Sequence, residues 1–85
     1  MPSDHTHATH PGIATRLKRA EGHLRRVIGM IEEGQPCRDL ATQLHAVERA
    51  VVEAKRALIH DHIDYCLTGG GTRDLVEIKA LTKLL

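Results

Sequence analysis

Apolar residues recur along the chain at alternating intervals of four and three, the spacing that places them on one side of an α-helix. The first such series comprises Ile13, Leu17, Ala20, Leu24, Val27 and Ile31. It predicts a helix from Gly12 or Ile13 to Glu33. Gly34 is well placed to end this helix, because glycine readily adopts the left-handed conformation that follows many helices. Pro36 fits the first turn of a second helix, since no hydrogen-bond partner is needed there for its nitrogen.

A second series with the same intervals comprises Leu40, Leu44, Val47, Val51, Ala54 and Leu58. No glycine or proline interrupts the chain from Arg38 to Thr68, and most residues of this segment favour helix. The pattern therefore predicts a long second helix from Cys37 to Leu67, which the three glycines at residues 69–71 end.

A short third helix is predicted from Arg73 to Leu85, with Thr72 as its N-terminal cap. One side of it carries Leu75, Ile78, Leu81 and Leu85. No segment shows the alternation of apolar and polar residues that is typical of strands. The sequence thus predicts an all-α fold with a single domain at residues 12–85. A flexible polar tail is expected at residues 1–11, which contain His5, His7 and His10.

Two long helices joined by about three residues form an antiparallel hairpin. Each helix has an apolar seam, and there is no third long helix to cover both seams. A chain of 85 residues also buries only a modest core by itself. We therefore expect two hairpins to pair as an antiparallel four-helix bundle.

Positive charge is concentrated in the first helix, although the net charge of the chain is only +1. Residues 16–26 hold a single acid, Glu21, and five basic residues: Arg16, Lys18, Arg19, Arg25 and Arg26. Around the helix, Arg16 lies close to Arg19 and Lys18 lies close to Arg25, so that these residues form a basic ridge. Arg56 of the second helix extends this ridge. Such a ridge is either a solvated surface or a DNA-binding surface. No helix-turn-helix, zinc-finger or aromatic stacking pattern decides between the two.

Other features narrow the functional class. The chain has neither an apolar run long enough to span a membrane nor a signal-peptide pattern, so we expect a cytoplasmic protein. Its two cysteines do not make a disulfide framework, and in a reducing compartment metal binding or redox sensing is the more common use of such a pair. No set of nucleophile, base and orienting group is recognisable, which argues against an enzyme with a small-molecule substrate.

Cys37, His62 and Cys66 are the most informative side chains, because thiolate and imidazole groups suit a soft or borderline metal ion. His62 and Cys66 are four residues apart and share one side of the second helix. Cys37 precedes Cys66 by 29 positions, which is about 43 Å along a helix. The three groups can meet if two copies of the helix run antiparallel. Cys37 of one subunit then faces His62 and Cys66 of the other.

Two further possibilities stay open at this point. A disulfide or persulfide between Cys37 of one subunit and Cys66 of the other would make a redox sensor that needs no metal. His5 lies 32 residues before Cys37 and adds a fourth ligand if the tail folds back.

The sequence closely resembles the family of the copper-sensing repressor CsoR, the nickel/cobalt sensor RcnR and the formaldehyde sensor FrmR. The resemblance covers residues 13–85. It rests on RLKRAEGHLRRVIGMIEEGQPC at residues 16–37, LATQLHAVERAV at residues 40–51 and HIDYC at residues 62–66. It implies an all-helical protein whose dimers pair into tetramers. It also implies a repressor that binds operator DNA without its effector and releases the DNA when the effector binds.

In the copper-sensing members of this family, one cysteine of a subunit joins a histidine and a cysteine of its dimer partner around Cu(I). The resemblance assigns these roles to Cys37, His62 and Cys66. It assigns contacts with DNA to four basic residues, Arg16, Lys18, Arg19 and Arg56.

Two positions depart from the copper-sensing pattern. Copper sensors usually have a tyrosine directly before the first cysteine, where this chain has Pro36. They also carry a glutamate in the third helix that couples the metal site to DNA release, and Thr82 occupies that position by spacing. We therefore expect the Cu(I) ligands to be present and the usual relay residues to be absent.

Other branches of the family supply the alternatives. His5 matches an N-terminal histidine of the nickel-type sensors, so that it resembles, with Cys37, His62 and Cys66, a square-planar Ni(II) site. The formaldehyde branch shares the Pro-Cys pair, but Cys66 is atypical there. The persulfide branch uses two cysteines without His62. The prediction is a tetrameric repressor of operator DNA that responds to Cu(I), with Ni(II) as the alternative metal.

Overall fold

The structure, a computed structural model, describes residues 10–67 and 75–85. Within these ranges the chain forms three α-helices and no strand: α1 (His10–Glu32), α2 (Cys37–Leu67) and α3 (Leu75–Thr82). The prediction of an all-α fold is confirmed, and α2 has the predicted bounds. No helix of the described ranges is long and apolar enough to cross a membrane.

The start of α1 differs from the prediction. The helix begins at His10 rather than at Gly12 or Ile13, so that His10 and Pro11 belong to the helix and not to a tail. Pro11 is compatible with this position, because the first turn of a helix requires no amide hydrogen from it. The remaining tail residues, 1–9, lie outside the described residues, and so do His5 and His7.

The third helix is shorter than the predicted range of residues 73–85. It ends at Thr82, and the amides of Leu84 and Leu85 then donate to the carbonyl groups of Leu81 and Thr82 at 2.9 and 3.3 Å. Hydrogen bonds between residues three apart in sequence are those of a 3₁₀-helix, which is more tightly wound than an α-helix. The predicted cap at residue 72 and the glycines at residues 69–71 lie outside the described residues.

Gly34 ends α1 as predicted. Its φ angle is 75°. The amides of Gly34 and Gln35 donate to the carbonyl groups of Ile31 (3.1 Å) and Met30 (3.0 Å), which is the Schellman pattern of a helix C-terminus. Pro36 lies directly before α2 rather than inside its first turn. Its carbonyl group accepts hydrogen bonds from the amides three and four residues further on, both at 3.0 Å.

The core between α1 and α2 uses only part of each predicted apolar series. The members of the two series that are buried are Ile13, Ala20 and Val27 of α1 and Val47 and Ala54 of α2, and Ile59, outside the series, is buried as well. A hydrogen-bond contact of 2.6 Å between His23 Nε2 and Gln43 Oε1 also joins the two helices. The hairpin therefore holds together along a narrow strip of residues, and the other apolar side chains are left over.

These remaining side chains form one exposed surface, which we call the apolar side. Its members are 41–51% exposed: Leu17, Leu24, Ile28, Ile31, Leu44, Val51 and Leu58. Most of them follow a buried residue of the same helix by four positions, and helical positions advance by about 100° per residue. The exposed residues of both helices therefore lie beside the buried strip on the same side of the hairpin. The hairpin thus presents a continuous apolar surface that its own described residues do not cover.

Candidate metal centre

His62 and Cys66 lie in contact near the C-terminal end of α2. The Nε2 atom of His62 is 3.6 Å from the Sγ atom of Cys66. Both residues are buried, with 9% of His62 and 3% of Cys66 exposed. Their spacing of four residues stacks them one turn apart on the same side of the helix, so that α2 itself sets the position of this pair.

The separation of these two atoms fits binding to a common metal ion. A metal with bonds of about 2.3 Å to sulfur and about 2.0 Å to nitrogen, as zinc has, places the two donors roughly 3.5–3.7 Å apart. The observed 3.6 Å lies in this range. The pair therefore supplies two suitably spaced donor atoms of the kind that soft and borderline metals prefer.

The third predicted ligand, Cys37, lies at the opposite end of α2. It is the first residue of the helix and is exposed. In the part of the chain that the structure describes, no group of three or more His, Cys, Asp or Glu side chains is arranged to hold a metal ion. A single chain thus brings His62 and Cys66 together but leaves Cys37 apart from them. His5, the fourth candidate, lies outside the described residues.

Glu77 of α3 is a neighbour of the site that the sequence analysis missed. Its Oε1 atom lies 3.4 Å from Nε2 of His62, and the two side chains are 41% and 11% exposed. Glu77 follows Cys66 by eleven residues and belongs to another helix, so no helical spacing connects it to the site. Only the approach of α3 to the end of α2 reveals it.

This chain has Thr82 where copper sensors carry a glutamate. Its third helix nevertheless places a carboxylate, that of Glu77, beside the site. The Oγ1 atom of Thr82 donates to the carbonyl group of Lys79 at 2.8 Å and is exposed. It takes part in the local structure of α3, whereas Glu77 makes the contact with His62.

The four predicted DNA-contacting residues, Arg16, Lys18, Arg19 and Arg56, are all exposed. Arg16 and Arg19 line one groove of about 350 Å³ between α1 and α2, together with Glu53. Arg16 also lines a neighbouring groove of about 470 Å³, which contains two aspartates, Asp61 and Asp64.

Lys18 and Arg56 line neither of these two grooves. The structure thus brings Arg16 and Arg19 together on the side of the hairpin that faces away from the apolar side. Carboxylates are interspersed there, so the positive surface is narrower than the sequence pattern indicates.

Comparisons with known proteins agree with the resemblance noted in the sequence. A family profile described as metal-sensitive transcriptional repressor matches residues 9–85. The copper-sensing transcriptional repressor CsoR of Mycobacterium ulcerans (strain Agy99) is 40% identical over 53 residues, which cover 62% of this chain and 45% of that protein. The copper-sensing transcriptional repressor RicR of Mycobacterium tuberculosis (strain ATCC 25618 / H37Rv) is 40% identical over 55 residues, 65% of this chain and 57% of RicR.

A third relative, the copper-sensing transcriptional repressor CsoR of Bacillus subtilis (strain 168), is 32% identical over 71 residues, 78% of this chain and 70% of that protein. The chain spans about half the length of the two mycobacterial relatives. No solved structure matches the chain. The three relatives are named as repressors and not as enzymes, in agreement with the expectation from sequence, and each is named as copper-sensing.

Proposed function

Since the chain belongs to the family of metal-sensitive transcriptional repressors, we propose that it binds operator DNA in its metal-free form and releases it on binding Cu(I). Copper is favoured over nickel for two reasons. The relatives described above are named as copper-sensing, and two thiolates with one imidazole make a soft donor set. We infer a cytoplasmic location, because operator DNA is found there.

The metal site that we propose lies between two subunits. Cys37, Leu44, Val51 and Leu58 follow one another at intervals of seven residues, so they share one side of α2. The last three are exposed members of the apolar side, and His62 continues their line four residues after Leu58. A partner that covers this surface therefore also reaches the buried His62–Cys66 pair.

The same spacing sets the register of the pair. If two copies of α2 run antiparallel with Val51 facing Val51, then Leu44 of each copy faces Leu58 of the other. Cys37 then faces position 65, which lies between His62 and Cys66. This coincidence of the apolar spacing and the ligand spacing is the observation that carries the proposal. It gives two equivalent sites in each dimer, and two such dimers would form the tetramer.

The proposed change in DNA affinity depends on residues of the chain itself. Cys37 of one subunit and His62 with Cys66 of the other would hold Cu(I) as a single set of ligands. The two subunits are thereby fixed relative to one another, and so are the exposed arginines Arg16 and Arg19 on the opposite side. Cu(I) shifts the equilibrium between the DNA-binding state and the released state only to the extent that it binds one of them more tightly. A coupling free energy of about 2–3 kcal/mol gives roughly a 30- to 150-fold loss of DNA affinity.

The proposal is tested by fluorescence anisotropy with labelled DNA from upstream of the protein's own gene, at one salt concentration. We expect tight binding by the metal-free protein, and a loss of affinity with Cu(I) that Ni(II), Co(II) and Zn(II) do not reproduce. Cys37→Ala is the matched variant, because residue 37 is exposed. It should bind the DNA normally but no longer respond to Cu(I). If Cu(I) still releases the Cys37→Ala variant from the DNA as it releases the wild type, the intersubunit site is refuted.

A further inference from the structure

His23 joins the two long helices and also lines a groove on the polar side of the hairpin. Its Nε2 atom lies 2.6 Å from Oε1 of Gln43, in a partly buried contact between α1 and α2. The same side chain lines the groove of about 350 Å³ that contains Arg16 and Arg19. His23 follows Arg19 by four residues and Arg16 by seven, so the three share one side of α1. His23 thus continues the line of these two arginines along the groove.

The contact with Gln43 fixes how the ring of His23 carries its hydrogen. Oε1 of Gln43 is an acceptor, so Nε2 of His23 must donate. Of the described residues, only Gln43 makes a hydrogen bond with this ring. The other ring nitrogen, Nδ1, is not among the buried atoms that lack a partner, and it is therefore accessible to solvent. The contact with Gln43 permits Nδ1 to carry either a lone pair or a second hydrogen.

A proton on Nδ1 changes what this side chain can bind. The neutral ring presents a lone pair there, which repels a phosphate oxygen, whereas the protonated ring presents an N–H donor and a positive charge. Hydrogen bonds from a charged donor to a phosphate are among the stronger ones that proteins make. Protonation leaves the hydrogen on Nε2 and its contact with Gln43 in place. No rearrangement of α1 against α2 is therefore needed.

From this arrangement we propose that His23 contacts the DNA backbone and takes up a proton from the solvent when the operator binds. Gln43 is the residue that positions its ring. The inference rests on the proposed function, since it takes the groove as part of the DNA-binding surface. A phosphate in the groove favours the protonated ring through its negative charge. Because the coupling is reciprocal, DNA affinity must rise as the pH falls and decrease as the pH rises.

The charged groups around His23 fit a phosphate at this position. Those that line the same groove are Arg16 and Arg19 of α1 and Glu53 of α2, and α3 does not pack against α1. The two guanidinium groups attract a phosphate, and Glu53 alone opposes it. The phosphate in turn offsets the repulsion between these guanidinium groups and a protonated His23.

The proposal is tested with metal-free protein by measuring affinity for DNA from upstream of its own gene at one salt concentration. The wild type should bind roughly three- to tenfold more tightly at about pH 6 than at about pH 8 for each histidine in contact. His23→Gln keeps a polar side chain that takes up no proton, so it should lose this gain. His60 lines the neighbouring groove, and its contribution cancels when each variant is compared with the wild type.

His45→Gln is the matched control, and Gln43→Met tests the positioning role. The side chain of His45 is 71% exposed and lines neither groove, so its removal should leave the pH-dependent gain intact. Gln43→Met keeps the length of the side chain but removes the acceptor, and it should reduce the gain with Cu(I) affinity unchanged. A full gain in Gln43→Met would refute the positioning role of Gln43.

Calorimetry in two buffers of different ionisation enthalpy counts the protons directly, a quantity that a purely structural role of His23 would not change. The wild type should take up protons on binding DNA, and His23→Gln should take up fewer, by as much as about one per contacting subunit. Equal proton uptake, or the same pH dependence, in the wild type and His23→Gln would overturn the proposal. Absence of DNA binding by the wild type at every pH would instead refute the proposed function itself.

Discussion

Cys37 is the exposed first residue of α2, whereas Cys66 is buried one residue before the end of the same helix. The rigid helix between them keeps the two sulfur atoms about 43 Å apart along its axis. A shared metal ion therefore requires two chains, and the antiparallel pairing of α2 that we propose places one site at each end of the dimer. The exposed apolar residues between the two cysteines are the surface along which the chains would meet.

Val51 lies at the centre of the proposed pairing, so a charge there should separate the subunits. Val51→Glu places two carboxylates against each other at the two-fold axis without partners. We expect dimerisation to weaken by about 3 kcal/mol or more, at least a hundredfold in Kd. The monomer should stay helical, because Val51 is 45% exposed in the single chain. Analytical ultracentrifugation and circular dichroism measure the two properties.

Ala46→Glu is the control for this substitution. Residue 46 is also exposed on α2 but lies away from the apolar side, so its subunit association should be that of the wild type. Unchanged association of Val51→Glu, or equal weakening in both variants, would show that the chains do not pair along this surface.

Arg16 is the residue of α1 that lines both grooves on the polar side of the hairpin. If these grooves receive the DNA backbone, Arg16→Ala should weaken DNA binding and leave Cu(I) affinity unchanged. The slope of log K against log salt should become shallower by about 0.9 for each phosphate contact that is lost. Lys83→Ala removes an equal charge from the exposed end of the chain and serves as the control. Wild-type DNA affinity and salt dependence of Arg16→Ala would place the DNA elsewhere.

Gly34 has a φ angle of 75°, and a side chain there would meet no atom within 4 Å. The cost of Gly34→Ala is therefore backbone strain alone, about 1 kcal/mol. Gly29→Ala is the matched substitution within α1, where a side chain also meets no atom within 4 Å. It should stabilise the protein by about 0.5–1 kcal/mol. Thermal unfolding at equal protein concentration should thus give Tm changes of opposite sign, and a higher Tm for Gly34→Ala would contradict the observed turn.

The helices could be predicted from sequence because their signals are local. The spacing of apolar residues predicts that α2 is a helix, its bounds follow from Pro36 and from the glycines at residues 69–71, and the left-handed preference of glycine places the end of α1 at Gly34. The sequence pattern places the start of α1 too late, because it assigns Pro11 to a tail although proline suits the first turn of a helix. For α3, the apolar residues Leu81 and Leu85 suggested a longer helix than the chain forms.

The candidate site was predictable only as far as one helix carries it. The spacing of four residues between His62 and Cys66 correctly placed their side chains together. The contact of Glu77 depends on how α3 returns to the end of α2, which no spacing in the sequence encodes. Similarly, the apolar series gave no indication of which members face the other helix and which, like Val51, remain exposed. That division depends on the angle at which α1 and α2 pack.

Mixed dimers test the intersubunit site most directly. Neither Cys37→Ala nor Cys66→Ala homodimers should bind Cu(I) tightly. After the two variants are unfolded and refolded together, each mixed dimer should contain one intact site. That site would combine Cys37 of the one chain with His62 and Cys66 of the other. We predict one tightly bound Cu(I) per mixed dimer, with wild-type affinity, against two per wild-type dimer. Absence of tight binding in the purified mixed dimer would show that the ligands are not shared between chains.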